Sequence, residues 1–199
     1  MPPEDTATLL RWFWRSTFAH RYSGNPGRNI RHDVEQAAAL RKKQPSTLDQ
    51  IAATVDASFF LENTFNSRTV ATKAMILLLA NNRPCTFLSG QAVDLDAVLS
   101  EPNRKEYHHC MPRAWMRDYR AGIQEQAVNS LANFAIITRA ENREIRAKAP
   151  SEYRGLMATD IGEIERGAYL PPSLWDDDEA KFFAERAELL VAAVQARLA

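Results

Sequence analysis

The run from Phe134 to Thr138 constrains the fold of this chain more than any other segment. It is short and consists largely of β-branched and aromatic residues, so it predicts a strand, whereas Ala140–Ala147 returns to residues that favour a helix. The adjacent His108 and His109 are expected near the end of a second, short extended stretch. Because apolar residues elsewhere recur at helical spacing, the expected fold class is α+β and mostly helical.

The remaining pattern predicts further helices and one weak domain break. The helices are expected at 6–20, 31–43, 46–54, 67–81, 150–157 and 176–198, and the fourth is expected to be a buried core helix. In the last helix, periodicity predicts that Phe182, Phe183, Leu189, Leu190 and Val194 face inward. A break at 101–103 would separate an all-helical region, 1–100, from a domain at 101–199 with its core at 105–158.

Charge and cysteine usage limit the class of protein. Lysine plus arginine and aspartate plus glutamate number 25 each, so no global field attracts nucleic acid and any nucleic-acid surface must be local. Cys85 and Cys110 are the only cysteines, which excludes a disulfide framework and a cysteine-rich zinc site. The longest apolar run, 74–80, is too short to cross a bilayer. We expect a soluble, cytoplasmic protein without a membrane partner.

The histidine pair has the residue types that phosphodiester hydrolysis needs. One imidazole can take a proton from water, while a second imidazole and an asparagine carbonyl can hold a divalent cation. Side chains of neighbouring strand residues point to opposite faces, so a shared site requires the chain to end or bend there, and the following Cys110-Met111-Pro112 favours a bend. The alternative is that the histidines are surface residues and that Asn142 lies on a helix surface.

The order of these residues resembles a known motif. His108-His109-Cys110-Met111-Pro112, followed by Asn133 and Asn142, is similar to the HNH branch of the His-Me finger (ββα-metal) nucleases. The similarity is closer still to the C-terminal nuclease domain of GmrSD-type modification-dependent restriction enzymes. Looser similarity covers nearly the whole chain, including the segments 11–12, 21–23, 149–153 and 182–186 and the residue Asp33.

The resemblance implies a ββα-metal nuclease module and a role for each matched residue. His109 would be the general base, His108 and Asn142 would be metal ligands, and Asn133 would be a structural residue that holds the loop orienting His109. The implied cofactor is a divalent metal ion, with Mg²⁺ expected and Mn²⁺, Ni²⁺ or Zn²⁺ as alternatives because an imidazole is a ligand. Cys110 replaces the usual aliphatic residue and is expected to be a small buried hydrophobe or, alternatively, a soft ligand.

Basic residues around the motif are candidate phosphate contacts. They are Arg113, Arg117, Arg139, Arg143, Arg146 and Lys148. The alternative for the helix arginines is pairing with Glu141 and Glu144 on a solvated face. His20 and His32 are expected to be structural.

The expected function is metal-dependent hydrolysis of DNA phosphodiester bonds by an endonuclease of a restriction or phage-defence system. Duplex DNA is the expected substrate, and the resemblance implies an upstream nucleotide-hydrolysing sensor domain or subunit as a partner. Two alternatives stay open: a catalytically inactive module that binds nucleic acid or a partner, and an RNA-cleaving, toxin-like nuclease.

Overall fold

The fold is α+β and mostly helical, as predicted. The structure is a computed structural model that describes residues 1–100, 107–119, 123–158 and 160–199. The predicted break at 101–103 lies outside the described residues. The helices are α1 (Pro3–Phe18), α2 (Gly27–Arg41), α3 (Ala57–Glu62), α4 (Val70–Ala80), α5 (Leu95–Ser100), α6 (Arg113–Tyr119), α7 (Glu125–Val128), α8 (Arg139–Ile145), α9 (Pro150–Arg154), α10 (Ile161–Ala168) and α11 (Glu179–Leu198).

The strands β1 (Tyr107–His109) and β2 (Phe134–Ile136) form an antiparallel pair, and short 3₁₀ helices lie at Leu131–Asn133 and Pro172–Asp176. None of the described helices is both long and apolar enough to cross a membrane.

Contacts along the chain define two compact units. The N-terminal unit contains Met1–Val55 together with Ala192–Ala199, and the central unit contains Asp56–Val191. Residues 56–100, which the sequence grouped with the N-terminal helices, therefore belong with the histidine pair.

In the N-terminal unit, the buried hydrophobic side chains include Trp14 and Phe18 of α1 and Leu48. Trp14 and Phe18 stack with ring centroids 6.2 Å apart, and both are buried. The Arg15 guanidinium donates to the Leu198 carbonyl at 2.8 Å through Nε, which ties the end of α11 to α1.

The helix predicted at 46–54 is wrong. The chain makes turns and irregular structure there, and the next helix, α3, begins at Ala57 after its cap Asp56. The Ser46 hydroxyl donates to the Gln36 carbonyl, and the Thr47 amide donates to the Gln36 side chain at 2.7 Å. These bonds attach the segment to α2, and the Ser46 hydroxyl also accepts from the Leu48 amide at 3.2 Å in a turn that no helix follows.

The central unit surrounds the short sheet with helices. Its register pairs Tyr107 with Ile136, His108 with Ala135 and His109 with Phe134. As predicted, α4 is buried, with Met75, Leu78 and Leu79 at most 1% exposed. Its N-cap is Thr69, whose side chain accepts from the Thr72 amide.

Two inward residues of α11 in the central unit, Phe182 and Leu190, are fully buried as predicted, but Leu189 is 42% exposed and that prediction is wrong. The buried arc of α11 includes Arg186, which is 0% exposed and lies one turn from both Phe182 and Leu190. A pattern of apolar residues cannot reveal a buried arginine. The pattern therefore assigned the exposed Leu189 to the buried face and omitted Arg186 from it.

Candidate active site

The histidine pair lies on β1, next to the β2 strand and ahead of α8. Neighbouring strand residues point to opposite faces, so the backbone directs His109 to the face of Phe134 and His108 to the face of the buried Ala135. The His109 and Phe134 rings lie 4.4 Å apart at 44°, and Phe134 in turn stacks on Phe65 at 4.2 Å. Both histidines are half-buried. The predicted bend lies at Cys110 and Met111, after both histidines, so by itself it does not turn His108 and His109 toward one face.

Asn129 determines the tautomer of His109. The Asn129 amide nitrogen donates to the Glu125 carbonyl at 2.9 Å and to Glu125 Oε2 at 3.0 Å, so its Oδ1 must face the imidazole. His109 Nε2 lies 3.2 Å from that Oδ1. An amide oxygen can only accept, so Nε2 carries the proton and Nδ1 keeps its lone pair.

Burial lowers the pKa of His109 below the usual value for histidine, although the hydrogen bond with Asn129 opposes the shift. The cation of Arg113 acts in the same direction as burial. The imidazole is therefore neutral at neutral pH, which is the form that a general base requires.

Glu125 links the histidine to two of the predicted phosphate contacts. Its carboxylate accepts from Arg117 Nε at 2.7 Å and lies 3.6 Å from Arg113 Nη2. The Arg117 hydrogen bond lowers the pKa of Glu125. Arg113 and Arg117 are exposed but share this carboxylate, so their charge is partly balanced before any ligand arrives. The sequence analysis did not identify Asn129 or Glu125; their spacing of four residues on a short helix was the available signal.

Asn133 holds the segment that follows His109. It is fully buried, its Oδ1 accepts from the Met111 amide at 2.9 Å, and its Nδ2 donates to the carbonyls of Met111 at 3.1 Å and Val128 at 2.9 Å. Its own carbonyl accepts from the Cys110 amide at 2.7 Å. These bonds fix the backbone immediately after His109 from two sides.

Arg186 supports the same segment from α11. It donates to the carbonyls of Ala132 at 2.7 Å, Phe134 at 2.8 Å and Ala168 at 3.0 Å, and Nη1 lies 2.8 Å from Cys110 Sγ. Burial raises the pKa of the Cys110 thiol, which is 0% exposed. Cys110 is therefore a small buried residue, as one of the two expectations has it.

The start of α8 is held by a capping box. The Thr138 side chain accepts from the Glu141 amide, and the Glu141 carboxylate accepts from the Thr138 amide. The other carboxylate oxygen of Glu141 accepts from the Leu88 amide at 2.6 Å. Glu141 is buried and occupied by these bonds, which contradicts the alternative that it pairs with arginines on a solvated face. The Thr-x-x-Glu spacing was a readable signal for this role.

Asn142 lies on α8 directly after Glu141 and is half-buried. Among the described residues, no group of three or more His, Cys, Asp or Glu side chains is arranged to hold a metal ion. The predicted set of one imidazole and one amide oxygen is too small to form such a group. Its chemistry nevertheless suits a divalent cation that takes its other ligands from water and phosphate.

The remaining basic residues lie on and after α8. Arg139, Arg143 and Arg146 are exposed, and Lys148 is half-buried. Arg146 Nε donates to the Arg143 carbonyl at 3.0 Å, and Lys148 Nζ donates to the Glu144 carbonyl at 2.9 Å. Both groups bond to backbone carbonyls of α8, which leaves their charge unneutralised by those bonds.

Comparison with known proteins identifies one distant relative. An uncharacterised protein of Methanocaldococcus jannaschii is 24% identical over 153 residues, a match that covers 75% of this chain and 25% of the relative. The chain thus corresponds to about a quarter of that protein's length. No protein-family model and no solved structure matches the chain.

Proposed function

We propose that this chain is a metal-dependent endonuclease of the HNH, or His-Me finger, type that hydrolyses DNA phosphodiester bonds, within a restriction or phage-defence system. The observation that carries the proposal is the state of His109. Its imidazole is neutral, with Nε2 bound to Asn129 and the lone pair on Nδ1, on a strand that directly precedes a rigidly held bend.

In this reaction His109 Nδ1 takes a proton from the attacking water, and the Nε2 bond to Asn129 stabilises the imidazolium that forms. His108 and Asn142 would hold a divalent cation, Mg²⁺ in the first instance. When bound, this cation stabilises charge on the phosphate and on the leaving oxygen. Asn133 and Arg186 keep the segment after His109 in place, so that the base does not reorganise during the reaction.

The proposed substrate contacts are the basic residues of the site, chiefly Arg139 and Arg143 on the exposed face of α8. Each phosphate contact made on duplex DNA contributes about −0.9 to the slope of log affinity against log salt. A net charge of zero implies few contacts and a shallow slope. Arg143→Ala should make the slope less steep by about 0.9, the value for one phosphate contact. Arg68→Ala is the matched control, because it removes the same charge from an exposed position outside α8 and should leave the slope unchanged.

A proposed partner is an upstream nucleotide-hydrolysing sensor domain or subunit. The distant relative has most of its length outside the matched segment, which leaves room for further domains in that protein. In such an arrangement the sensor supplies the choice of target, and this chain supplies the cut.

The test compares plasmid nicking with RNA degradation in Mg²⁺, Mn²⁺ and EDTA. The proposal expects plasmid cleavage that requires metal and is lost in His109→Ala, while His108→Ala and Asn142→Ala weaken Mn²⁺ binding measured by electron paramagnetic resonance. Degradation of RNA but not plasmid would replace the DNA substrate with RNA. Cleavage by His109→Ala within tenfold of the wild type, or unchanged Mn²⁺ binding in both ligand variants, would refute the assigned roles.

A further inference from the structure

A polar cavity in the N-terminal unit lies outside everything assigned above. It has a volume of about 820 Å³ and is lined by the end of α1, the first turns of α2 and the segment 47–52. Four of its lining side chains are basic: His20, Arg21, Arg28 and His32. None of the lining residues is acidic, and all of them belong to the described range 1–100. The volume is in the range of sites for small organic ligands.

The carboxylate beside this cavity is already saturated. Asp33 is buried and accepts from Arg21, Tyr22, Trp12 and His32. Burial alone would raise its pKa, but these hydrogen bonds outweigh burial and hold the pKa of Asp33 well below its usual value. The permanent negative charge of Asp33 balances the charge of Arg21 and leaves nothing to balance Arg28.

Arg28 is exposed and forms no ion pair with any described residue. His32 Nδ1 donates to Asp33 Oδ1 at 3.0 Å, so its Nε2 can donate to an anion only in the imidazolium form of the ring. The cavity therefore presents donors and uncompensated positive charge on one side. Its chemistry fits an anion.

The start of α2 adds backbone donors to the same cavity. Pro26 is the N-cap and supplies no side-chain cap, and the first turn contains no acidic residue. The amides of Arg28 and Asn29, both lining residues, precede the first amide that bonds within the helix, that of Ile30 to the Pro26 carbonyl. Uncapped amides and the positive end of a fifteen-residue helix favour a bound anion.

His20 occupies a backbone position that favours glycine. The His20 amide donates to the Thr17 carbonyl and the Arg21 amide to the Ser16 carbonyl, which is the Schellman pattern at the end of α1. The residue at this position has φ 48°, where a side chain is strained. The side chain of His20 lines the cavity.

We propose that this cavity is a binding site for a phosphate group. Arg28, His20, His32 and the first amides of α2 would hold the phosphate oxygens, and the size of the cavity accommodates a nucleotide. A nucleotide and a nucleic-acid backbone present the same phosphate chemistry, and the experiment distinguishes these two sources. The proposal does not depend on the nuclease activity of the central unit.

The test measures binding of pyrophosphate, ATP and a short single-stranded DNA by isothermal titration calorimetry, with adenosine as the uncharged control. All titrations contain EDTA, so that no anion binds through a metal ion. Arg28→Ala should weaken binding about tenfold, the loss expected for one hydrogen bond to a charged group. Arg31→Ala removes an arginine from the same helix outside the cavity and should leave the affinity unchanged.

His20→Gly separates a binding role from a structural one. Relief of the positive φ should raise the Tm by about 2–4 °C, while loss of the imidazole should weaken anion binding. Binding of pyrophosphate and ATP supports a nucleotide source, and binding of the DNA strand alone, lost in Arg28→Ala, supports a nucleic-acid source. Absence of binding by all three anions overturns the proposal. It is also overturned if Arg28→Ala and Arg31→Ala weaken binding equally, or if His20→Gly is stabilised with unchanged affinity.

Discussion

Replacing Asn133 with alanine tests the internal support of the candidate site. The substitution leaves the Met111 amide without its acceptor and the carbonyls of Met111 and Val128 without their donor, all around a fully buried side chain. Each buried polar group left unsatisfied costs about 1–3 kcal/mol. Partial relaxation reduces the sum, so we expect Asn133→Ala to lower the free energy of unfolding by about 4 kcal/mol, a large part of the roughly 5–15 kcal/mol of a typical domain.

The assay is urea denaturation, with an unchanged m value and a lower midpoint as the expected signature. Asn129→Ala is the matched control, because this asparagine is half-buried and water can replace its bonds to Glu125. It should cost about 1 kcal/mol or less.

Asn133→Asp keeps the volume and the acceptor but removes the donors, and it should be at least as destabilised as Asn133→Ala. A loss of less than about 1 kcal/mol in Asn133→Ala, equal to that of Asn129→Ala, would refute the reasoning.

Three further predictions concern single groups in the central unit. The hydrogen bond with Asn129 raises the pKa of His109, and activity is lost as the pH falls through that pKa. In Asn129→Ala the acid limb of the pH–activity profile should therefore move to lower pH. A limb that moves to higher pH would contradict this. Arg186→Met should lower the free energy of unfolding by about 3 kcal/mol or more, because three buried carbonyls lose their donor. A urea midpoint equal to that of the wild type would show that the arginine is dispensable. Arg146→Gly should raise the free energy of unfolding by about 1 kcal/mol, because Arg146 has φ 54° at the end of α8, a conformation that glycine adopts without strain. No gain in thermal or urea stability would mean that the turn relaxes without strain.

The elements that sequence predicted correctly are those whose signal is local. The apolar run of α4 makes a buried helix wherever it packs. The β-branched and aromatic run of β2 and the helix formers of α8 could be read without knowledge of their neighbours. The helix predicted at 46–54 does not form, and the segment instead bonds to Gln36 of α2, ten or more residues away, a contact that no local pattern indicates. The short helices α3, α5, α6, α7 and α10 were missed because too few turns are present for periodicity to appear.

The sequence by itself determined the α+β class, the neutral charge and the residue types of the candidate site, because these depend on local propensity, on counting and on the order of His108, His109, Asn133 and Asn142. Only the tertiary structure decided which groups act on them. Asn129 sets the tautomer of His109. Arg186 is buried beside the segment that follows His109, and it bonds to carbonyl oxygens and to Cys110 Sγ instead of to a carboxylate. Such roles depend on residues that are distant in the chain and satisfy one another's hydrogen bonds only after folding. Neither composition nor spacing contains that information.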